Sequence, residues 1–135
     1  MPNDKTEVHS SIYASKYYTN AFGGSIDKFI ETLRSAEMDN RFQEVFRRAS
    51  LKEGESVLDV GCGRGELIYY SLLRGAKAAT GVDYSQDALD IAQIALKQLP
   101  DDLKSRAKLI CSSVSDLKLE GEFDCCFLTD IVEHL

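Results

Sequence analysis

The sequence predicts an α/β fold: a doubly wound, Rossmann-like parallel sheet preceded by helices. Three observations support this prediction. Short apolar segments alternate with helical segments, glycines follow the first apolar segment, and an acidic residue ends the second. Strands that alternate with helices pair in parallel through right-handed crossovers, and the expected order of the four strands is 3-2-1-4. A chain of 135 residues is long enough for one domain.

The predicted elements follow from hydrophobic periodicity and from capping residues. A helical pattern begins at Ser25, an N-cap residue, weakens over 36–40 and resumes from Phe42. We therefore expect either two helices or one bent helix there. Gly75 and Pro100 are expected to end the next two helices. The further predicted elements are strands over 56–60, 77–84, 107–111 and 123–129 and helices over 66–74 and 86–99.

The composition argues against several classes of function. The chain has 16 Lys and Arg against 22 Asp and Glu, a net charge of −6. Tight binding to nucleic acid normally depends on clustered basic residues, so nucleic acid is not an expected partner. No apolar run is long enough to span a membrane, and no secretory signal pattern is present. We therefore expect a cytoplasmic protein without membrane contact.

The cysteine pattern points the same way. Cys62, Cys111, Cys125 and Cys126 show no Cys-x-x-Cys spacing. A zinc site or a disulfide framework usually shows regular spacing, so neither is expected. We interpret these cysteines as buried, reduced thiols.

The strongest functional signal follows the first predicted strand. Gly61 permits a tight exit from the strand, Gly63 lets the backbone approach a ligand, and Gly65 lets the next helix begin close to the sheet. Asp83 ends the second strand, 22 positions after Gly61, and an acid there can accept both hydroxyls of a ribose. A purely structural turn is the alternative. The strand, helix and acid together favour a nucleoside-containing cofactor, although the spacing does not identify which one.

Four segments resemble those of class I S-adenosylmethionine-dependent methyltransferases. Residues 57–65, VLDVGCGRG, resemble the first motif of that family, and residues 81–85, GVDYS, resemble its second segment. Residues 123–126, FDCC, resemble the start of its fourth strand, and residues 133–135, EHL, resemble the segment that often follows. The resemblance covers about residues 57–135. It implies S-adenosyl-L-methionine as cofactor and S-adenosyl-L-homocysteine as product.

The resemblance also implies a cofactor site at the carboxyl ends of the strands. Asp59 and the Gly61 carbonyl would hold the ammonium end of the ligand, and Gly63 would lie along it. Asp83 would accept from the ribose hydroxyls, and Tyr84 would pack on the adenine. The implied cofactor-binding residues are Asp59, Gly61, Cys62, Gly63, Gly65, Asp83, Tyr84, Ser113, Val114, Asp116 and Thr129.

Several of these residues also have structural interpretations. Asp59 can stabilise a turn, and Tyr84 can be a half-buried aromatic at a strand end. After the third strand the family often has an acid that accepts from the adenine amino group, and Ser113 stands in its place. Ser113 would accept a weaker hydrogen bond than a carboxylate, and the Val114 N–H can contact the ring. Asp116 either reaches the adenine or caps a turn.

Methyl transfer requires the protein to align the acceptor, exclude water and sometimes remove a proton. His134 is the candidate base, with a histidine bonded to backbone or facing solvent as the alternative. Asp130, Glu133 and His134 resemble the metal-binding cluster of small-RNA terminal ribose methyltransferases, but no metal is expected here. The sequence leaves two interpretations for Tyr13, Tyr17 and Tyr18: they form a lid over the cofactor, or they take part in ordinary packing.

Together these observations predict two segments and one function. Residues 1–24 are expected to be flexible, and residues 25–135 form a partial S-adenosylmethionine-binding domain with N-terminal helices. We expect a methyltransferase that acts on a small-molecule or protein acceptor. The alternatives are a non-catalytic nucleoside-binding or assembly module of this fold and an NAD-binding Rossmann fragment, although NAD enzymes usually have glycine or alanine where Glu66 stands. An apolar fourth strand at the sheet edge predicts a truncated chain that self-associates through this strand.

Overall fold

The computed structural model describes residues 26–35 and 38–128. Within these ranges the chain forms helices and strands in alternation after two initial helices. They are α1 (Ile26–Arg34), α2 (Asn40–Ala49), β1 (Ser56–Val60), α3 (Glu66–Leu73), β2 (Ala78–Asp83), α4 (Gln86–Leu96), α5 (Asp101–Lys104), β3 (Ala107–Cys111) and β4 (Cys125–Phe127).

The strands form one sheet in the order β3-β2-β1-β4, and every neighbouring pair is parallel. The predicted α/β class and strand order are therefore confirmed. Val60 at the end of β1 pairs with Val82, and Asp83 at the end of β2 pairs with Cys111. This register brings the carboxyl ends of the three longer strands to one edge of the sheet, where the chain leaves each strand for the next connection.

The N-terminal helical pattern resolves into two helices, α1 and α2. The Asp39 side chain accepts a hydrogen bond from the Arg41 N–H at 2.8 Å and caps the start of α2. Ser50 ends α2 in the left-handed conformation. The segment that weakened the pattern is thus the junction between two helices, apart from residues 36–37, which lie outside the described residues.

Helix α5 was not predicted from the sequence, and two predicted elements differ from their expected limits by more than one residue. Helix α4 ends at Leu96 rather than at residue 99, because Pro100 restricts the backbone before it and itself serves as the N-cap of α5. Strand β4 covers Cys125–Phe127 and is shorter than the predicted strand over 123–129. Phe123 lies before β4 and packs instead against the second face of the sheet.

The main core lies on one face of the sheet. Buried side chains of helices α1 to α4 join Val57, Ala79 and Phe127 there in one hydrophobic cluster. Alternate strand residues face the other way, where Leu58 and Val82 belong to a smaller cluster. Among the described residues, that second face is covered by the connection from β3 to β4 rather than by a helix.

Several predictions fall outside the described residues and stay predictions. They concern the flexible segment 1–24, the N-cap Ser25 and the segment 129–135. Among the described helices, none has both the length and the apolar character needed to cross a membrane.

We expect Leu72→Ala to lower the free energy of unfolding by about 2–5 kcal/mol, because it leaves a cavity in the core. Leu72 is 0% exposed in α3, whereas its neighbour Leu73 is 46% exposed. The control Leu73→Ala should change the free energy of unfolding by about 0.5 kcal/mol or less. Urea-induced unfolding followed by circular dichroism measures both variants. Equal losses would contradict the inward orientation of Leu72.

Candidate functional site

Three connections meet at the carboxyl edge of the sheet: residues 61–65 after β1, residues 84–85 after β2 and residues 112–116 after β3. The Ser112 N–H donates to the Asp83 carbonyl oxygen at 3.0 Å, which joins the second connection to the third. The edge beside the first strand of such a sheet is where ligands bind in doubly wound folds. We call the first connection, residues 61–65, the glycine loop.

The glycine loop turns sharply out of β1. The N–H groups of Gly61 and Cys62 both donate to the Val82 carbonyl oxygen, at 2.7 and 2.9 Å. Gly61, Gly63 and Gly65 have φ values of 81°, 55° and 82°. Side chains disfavour this left-handed region, so the turn requires glycine at these positions.

Gly63 and Gly65 have different surroundings, and the close approach at Gly65 is to α4 rather than to the sheet, which differs from the sequence expectation. A Cβ atom at Gly65 would lie 3.1 Å from the Cβ of Ala92, so the absent side chain lets α3 begin against α4. Among the described residues, no atom would lie within 4 Å of a Cβ atom at Gly63. The backbone at Gly63 therefore borders open space, which leaves room for a ligand to lie against it.

Asp83 holds the glycine loop in place. Its Oδ2 accepts from the Gly63 N–H at 2.9 Å, and its Oδ1 accepts from the Ser85 N–H at 2.9 Å. Asp83 is 8% exposed, so these bonds also compensate for burial of the carboxylate. An ionised carboxylate has about four acceptor positions, and two further hydrogen bonds remain available to a ligand.

Cys62 fills the space between the glycine loop and β2. A Cβ atom at Gly81 would lie 2.8 Å from the Cys62 Sγ, so Gly81 is what allows this thiol to pack on the strand. Burial raises the pKa of the Cys62 thiol far above its usual value, and the nearby carboxylates of Asp59 and Asp83 raise that pKa further. Cys62 therefore stays a protonated packing group at physiological pH.

Asp59 lies in β1, one of the two central strands, one residue before its end, and is 2% exposed. It pairs with Gly81 in β2 and with Phe127 in β4. Its side chain occupies the same sheet face as Val57, by strand alternation. This position is close enough to the Cys62 thiol for its charge to act on the pKa of that thiol.

Tyr84 and the connection after β3 form the outer part of the site. Tyr84 is 80% exposed, so the half-buried interpretation of its ring is wrong.

The Ser113 hydroxyl donates to Asp116 Oδ2 at 2.9 Å and accepts from the Asp116 N–H at 3.2 Å. This turn matches the structural interpretation of Asp116, and the adenine interpretation stays a prediction. Val114 is 51% exposed beside it.

Arg64, the one charged residue of the glycine loop, has no role predicted from the sequence. Arg64 is 6% exposed. Its guanidinium carbon lies 3.9 Å from the centre of the Phe29 ring in α1, and its Nη2 lies 3.1 Å from Glu66 Oε2. Nothing in the local pattern signals this burial, since an arginine between glycines is normally exposed.

Some predicted residues cannot be placed. Thr129, His134 and the acidic residues near His134 lie outside the described residues, as do Tyr13, Tyr17 and Tyr18. Among the described residues, no group of three or more His, Cys, Asp or Glu is arranged to hold a metal ion.

The cysteine interpretation is correct only in part. All four thiols are free, and Cys62 is buried. Cys111 and Cys126 are exposed, which contradicts the expectation that all the cysteines are buried. Both lie on strands at the edges of the described sheet, where fewer neighbouring side chains cover them.

Two surface hollows lie away from the glycine loop. The first, of about 830 Å³, borders α2 and the end of α3 near Arg74. The second, of about 680 Å³, lies between α1 and α4, and we call it the α1–α4 groove. It is lined by Ile26, Asp27, Ile30, Glu31, Arg34, Ser35, Ile94 and Gln98.

Comparison with known proteins identifies the family. The methyltransferase domain family matches residues 57–135, which include the glycine loop and β1 to β4. The chain belongs to this family. The class I S-adenosylmethionine-dependent methyltransferase resemblance is thereby confirmed.

This methyltransferase domain has relatives that are named for different reactions. It is 36% identical over 99 residues to a ubiquinone biosynthesis O-methyltransferase of Chromobacterium violaceum, covering 70% of this chain and 39% of the relative. It is also 36% identical over 97 residues to a tRNA U34 carboxymethyltransferase of Dichelobacter nodosus, covering 71% and 30% of the two chains. The crystal structure of Arabidopsis thaliana protein arginine methyltransferase 10 matches with 32% identity and a TM-score of 0.54, covering 63% of this chain and 24% of the other. The chain thus spans about two fifths or less of these proteins.

We expect thiol reagents to distinguish the cysteines of this methyltransferase domain. At about pH 8 the native protein should be alkylated at Cys111 and Cys126, because both are exposed. Cys62 should react only after unfolding, since its raised pKa keeps the folded thiol protonated over a pH range in which the unfolded thiol ionises. Mass spectrometry of peptides from native and urea-unfolded samples measures each site. Rapid native labelling of Cys62 would contradict its packing against β2.

Proposed function

We propose that this chain is the cofactor-binding portion of an S-adenosyl-L-methionine-dependent methyltransferase. One observation carries the proposal: the open backbone at Gly63 lies next to the Asp83 carboxylate, and a hydrogen bond of 2.9 Å joins them. An adenosyl ligand needs both features, because its sugar carries hydroxyl donors and its bulk requires a surface free of side chains.

The described residues fit such a ligand. The two Asp83 oxygens each accept one backbone N–H and keep further acceptor capacity for the ribose hydroxyls. The exposed Tyr84 ring offers a face for the adenine. Ser113, Val114 and Asp116 border that position and supply hydroxyl, amide and carboxylate groups. Asp59 and the Gly61 carbonyl are proposed for the ammonium end, with Cys62, Gly65 and Thr129 completing the site.

The bound cofactor supplies a methyl group already activated by a sulfonium. The protein then contributes mainly alignment and exclusion of water. The Asp83 hydrogen bonds fix the glycine loop, and the two together would hold the sugar and the methionine end of the cofactor in one orientation. His134 is proposed as the base near the acceptor. An S-adenosyl-L-homocysteine product would occupy the same contacts.

The acceptor is proposed to be a small molecule or a protein side chain. The net charge of −6 argues against nucleic acid, although one relative is named for tRNA. A cytoplasmic location, supported by four free thiols, and self-association through β4 belong to the same proposal. So does the division into a flexible segment 1–24 and a partial domain over 25–135.

The proposal predicts that the chain binds S-adenosyl-L-homocysteine saturably and does not bind NAD with comparable affinity. Asp83→Asn should weaken binding about tenfold or more, because it removes a charged acceptor from the sugar. Calorimetric titration measures both ligands on both proteins. Tighter binding of NAD than of S-adenosyl-L-homocysteine would favour the Rossmann alternative.

The matched control is Asp90→Asn on the exposed face of α4, where the carboxylate accepts from Gln86 Nε2 at 2.9 Å. It removes the same charge and should leave affinity unchanged. Titration with the 2′-deoxy analogue of S-adenosyl-L-homocysteine isolates the sugar contact. Asp83→Asn should reduce the affinity for this analogue by less than it reduces the affinity for S-adenosyl-L-homocysteine. An equal reduction for both ligands would mean that Asp83 acts only on the glycine loop.

Gly63→Ala should lower the free energy of binding of S-adenosyl-L-homocysteine by more than it lowers the free energy of unfolding. Its new methyl group would enter open space beside the proposed ligand, and its φ of 55° costs an alanine about 1–2 kcal/mol. Gly65→Ala should instead destabilise the fold by more, because its methyl group meets Ala92 at 3.1 Å as well. Urea unfolding and calorimetric titration separate the two effects. Full affinity in Gly63→Ala would contradict ligand contact at this residue.

A further inference from the structure

The glycine loop is anchored to the rest of the protein by two side chains that contact different elements. Cys62 packs against β2 at Gly81, as described above. Arg64 lies over the ring of Phe29 in α1. Because both side chains turn into the protein, the open face at Gly63 is left bare. The anchoring of the loop therefore depends on α1 as well as on the sheet.

The contact between Arg64 and Phe29 is buried. Phe29 is 7% exposed, and the Arg64 side chain is 7% exposed. The guanidinium carbon lies 3.9 Å from the ring centre, well within the range of a cation–π interaction. The Arg64 Nη2 also lies 3.1 Å from Glu66 Oε2, and that carboxylate stands in the first turn of α3. A desolvated contact of this kind is stronger than an exposed one.

The contact bears directly on the conformation of the glycine loop. Arg64 stands between Gly63, whose N–H donates to Asp83, and Gly65, whose N–H donates to the Cys62 carbonyl oxygen at 3.0 Å. Glycines have the greatest backbone freedom in an unrestrained loop, so the side chain between them restricts both. Loss of the Phe29 contact would let the loop populate other conformations. Apparent affinity falls in proportion to the fraction of molecules in the binding conformation.

We propose that the stack of Arg64 on Phe29 is a positioning contact through which α1 sets the affinity of the glycine loop for its adenosyl cofactor. This inference rests on the proposed function above. Arg64 acts through Gly63 and Gly65 and does not touch the ligand. Helix α1 is thereby part of the cofactor site through its contact with Arg64.

The test uses the full chain and variants that remove each half of the stack. Arg64→Met keeps the length of the side chain without its charge, and Phe29→Leu keeps an apolar side chain without the ring. Each should weaken binding of S-adenosyl-L-homocysteine by about tenfold in calorimetric titration. The double variant should bind no more weakly than Arg64→Met alone, because Arg64→Met already removes the stack and, with it, the ion pair to Glu66. Arg64→Lys, which keeps a cation over the ring, should recover part of the affinity.

The matched control is Arg74→Met. Arg74 stacks on Phe46 of α2 with its guanidinium carbon 4.6 Å from the ring centre, at the opposite end of α3 from the glycine loop. This variant also removes a cation–π contact between an N-terminal helix and the domain, here with an exposed arginine. Its affinity for S-adenosyl-L-homocysteine should stay within about twofold of the parent.

Amide hydrogen exchange separates positioning from general stability. Arg64→Met and Phe29→Leu should speed amide exchange at Gly63 and Gly65 more than Arg74→Met does. The variants are compared under conditions in which they have the same free energy of unfolding. Two results would overturn the proposal: parent-like affinity and exchange in both variants, or weak binding in Arg64→Met with full binding in Phe29→Leu, which would mean that Arg64 contacts the ligand. If the parent itself fails to bind, the proposed function fails, whereas the exchange comparison still reports on the stack.

Discussion

The Asp83 carboxylate accepts hydrogen bonds from the backbone N–H groups of Gly63 and Ser85. These two bonds hold the connections after β1 and β2 together. The glycine loop would otherwise have unusual freedom, since its three glycines all adopt left-handed conformations. The carboxylate is buried, and a buried charge requires hydrogen bonds to offset its lost hydration. Each partner therefore stabilises the other: the loop satisfies Asp83, and Asp83 fixes the loop. The remaining acceptor capacity of the same group is what a ligand sugar can use.

The protein combines a fixed loop with an uncovered surface. Cys62 and Arg64 point into the structure, toward β2 and α1, so that the loop presents backbone alone at Gly63. A binding surface that is already ordered loses little conformational entropy when a ligand arrives. The described helices that form the main core all pack on one face of the sheet and leave the carboxyl edge accessible. The hydrophobic core therefore supports the three connections at the carboxyl edge, and these connections supply the polar groups of the site.

Much of this arrangement could be predicted from the sequence. The limits of β1 and β3 agree with the prediction because polar or glycine residues flank both apolar segments. The position of Asp83 at the end of β2 also followed from its spacing to the glycine loop.

Other features depend on contacts between distant parts of the chain. The burial of Arg64 requires Phe29 of α1, and no local pattern links the two residues. The exposure of Cys111 and Cys126 follows from their places on the outer strands of the described sheet, which an apolar segment alone does not specify. The early end of α4 reflects the backbone restriction before Pro100, which outweighs the apolar pattern that continues to Leu99. Long-range packing and backbone geometry decided these cases.

The central claim is that an adenosyl ligand lies against the backbone at Gly63, beside Asp83. The most direct test is nuclear magnetic resonance of the ¹⁵N-labelled chain during titration with S-adenosyl-L-homocysteine. The account predicts saturable shifts that are largest for the amides of Gly63, Tyr84 and Val114, which lie on the three connections at the carboxyl edge. Shifts confined to the α1–α4 groove, or no saturable shifts at all, would contradict it.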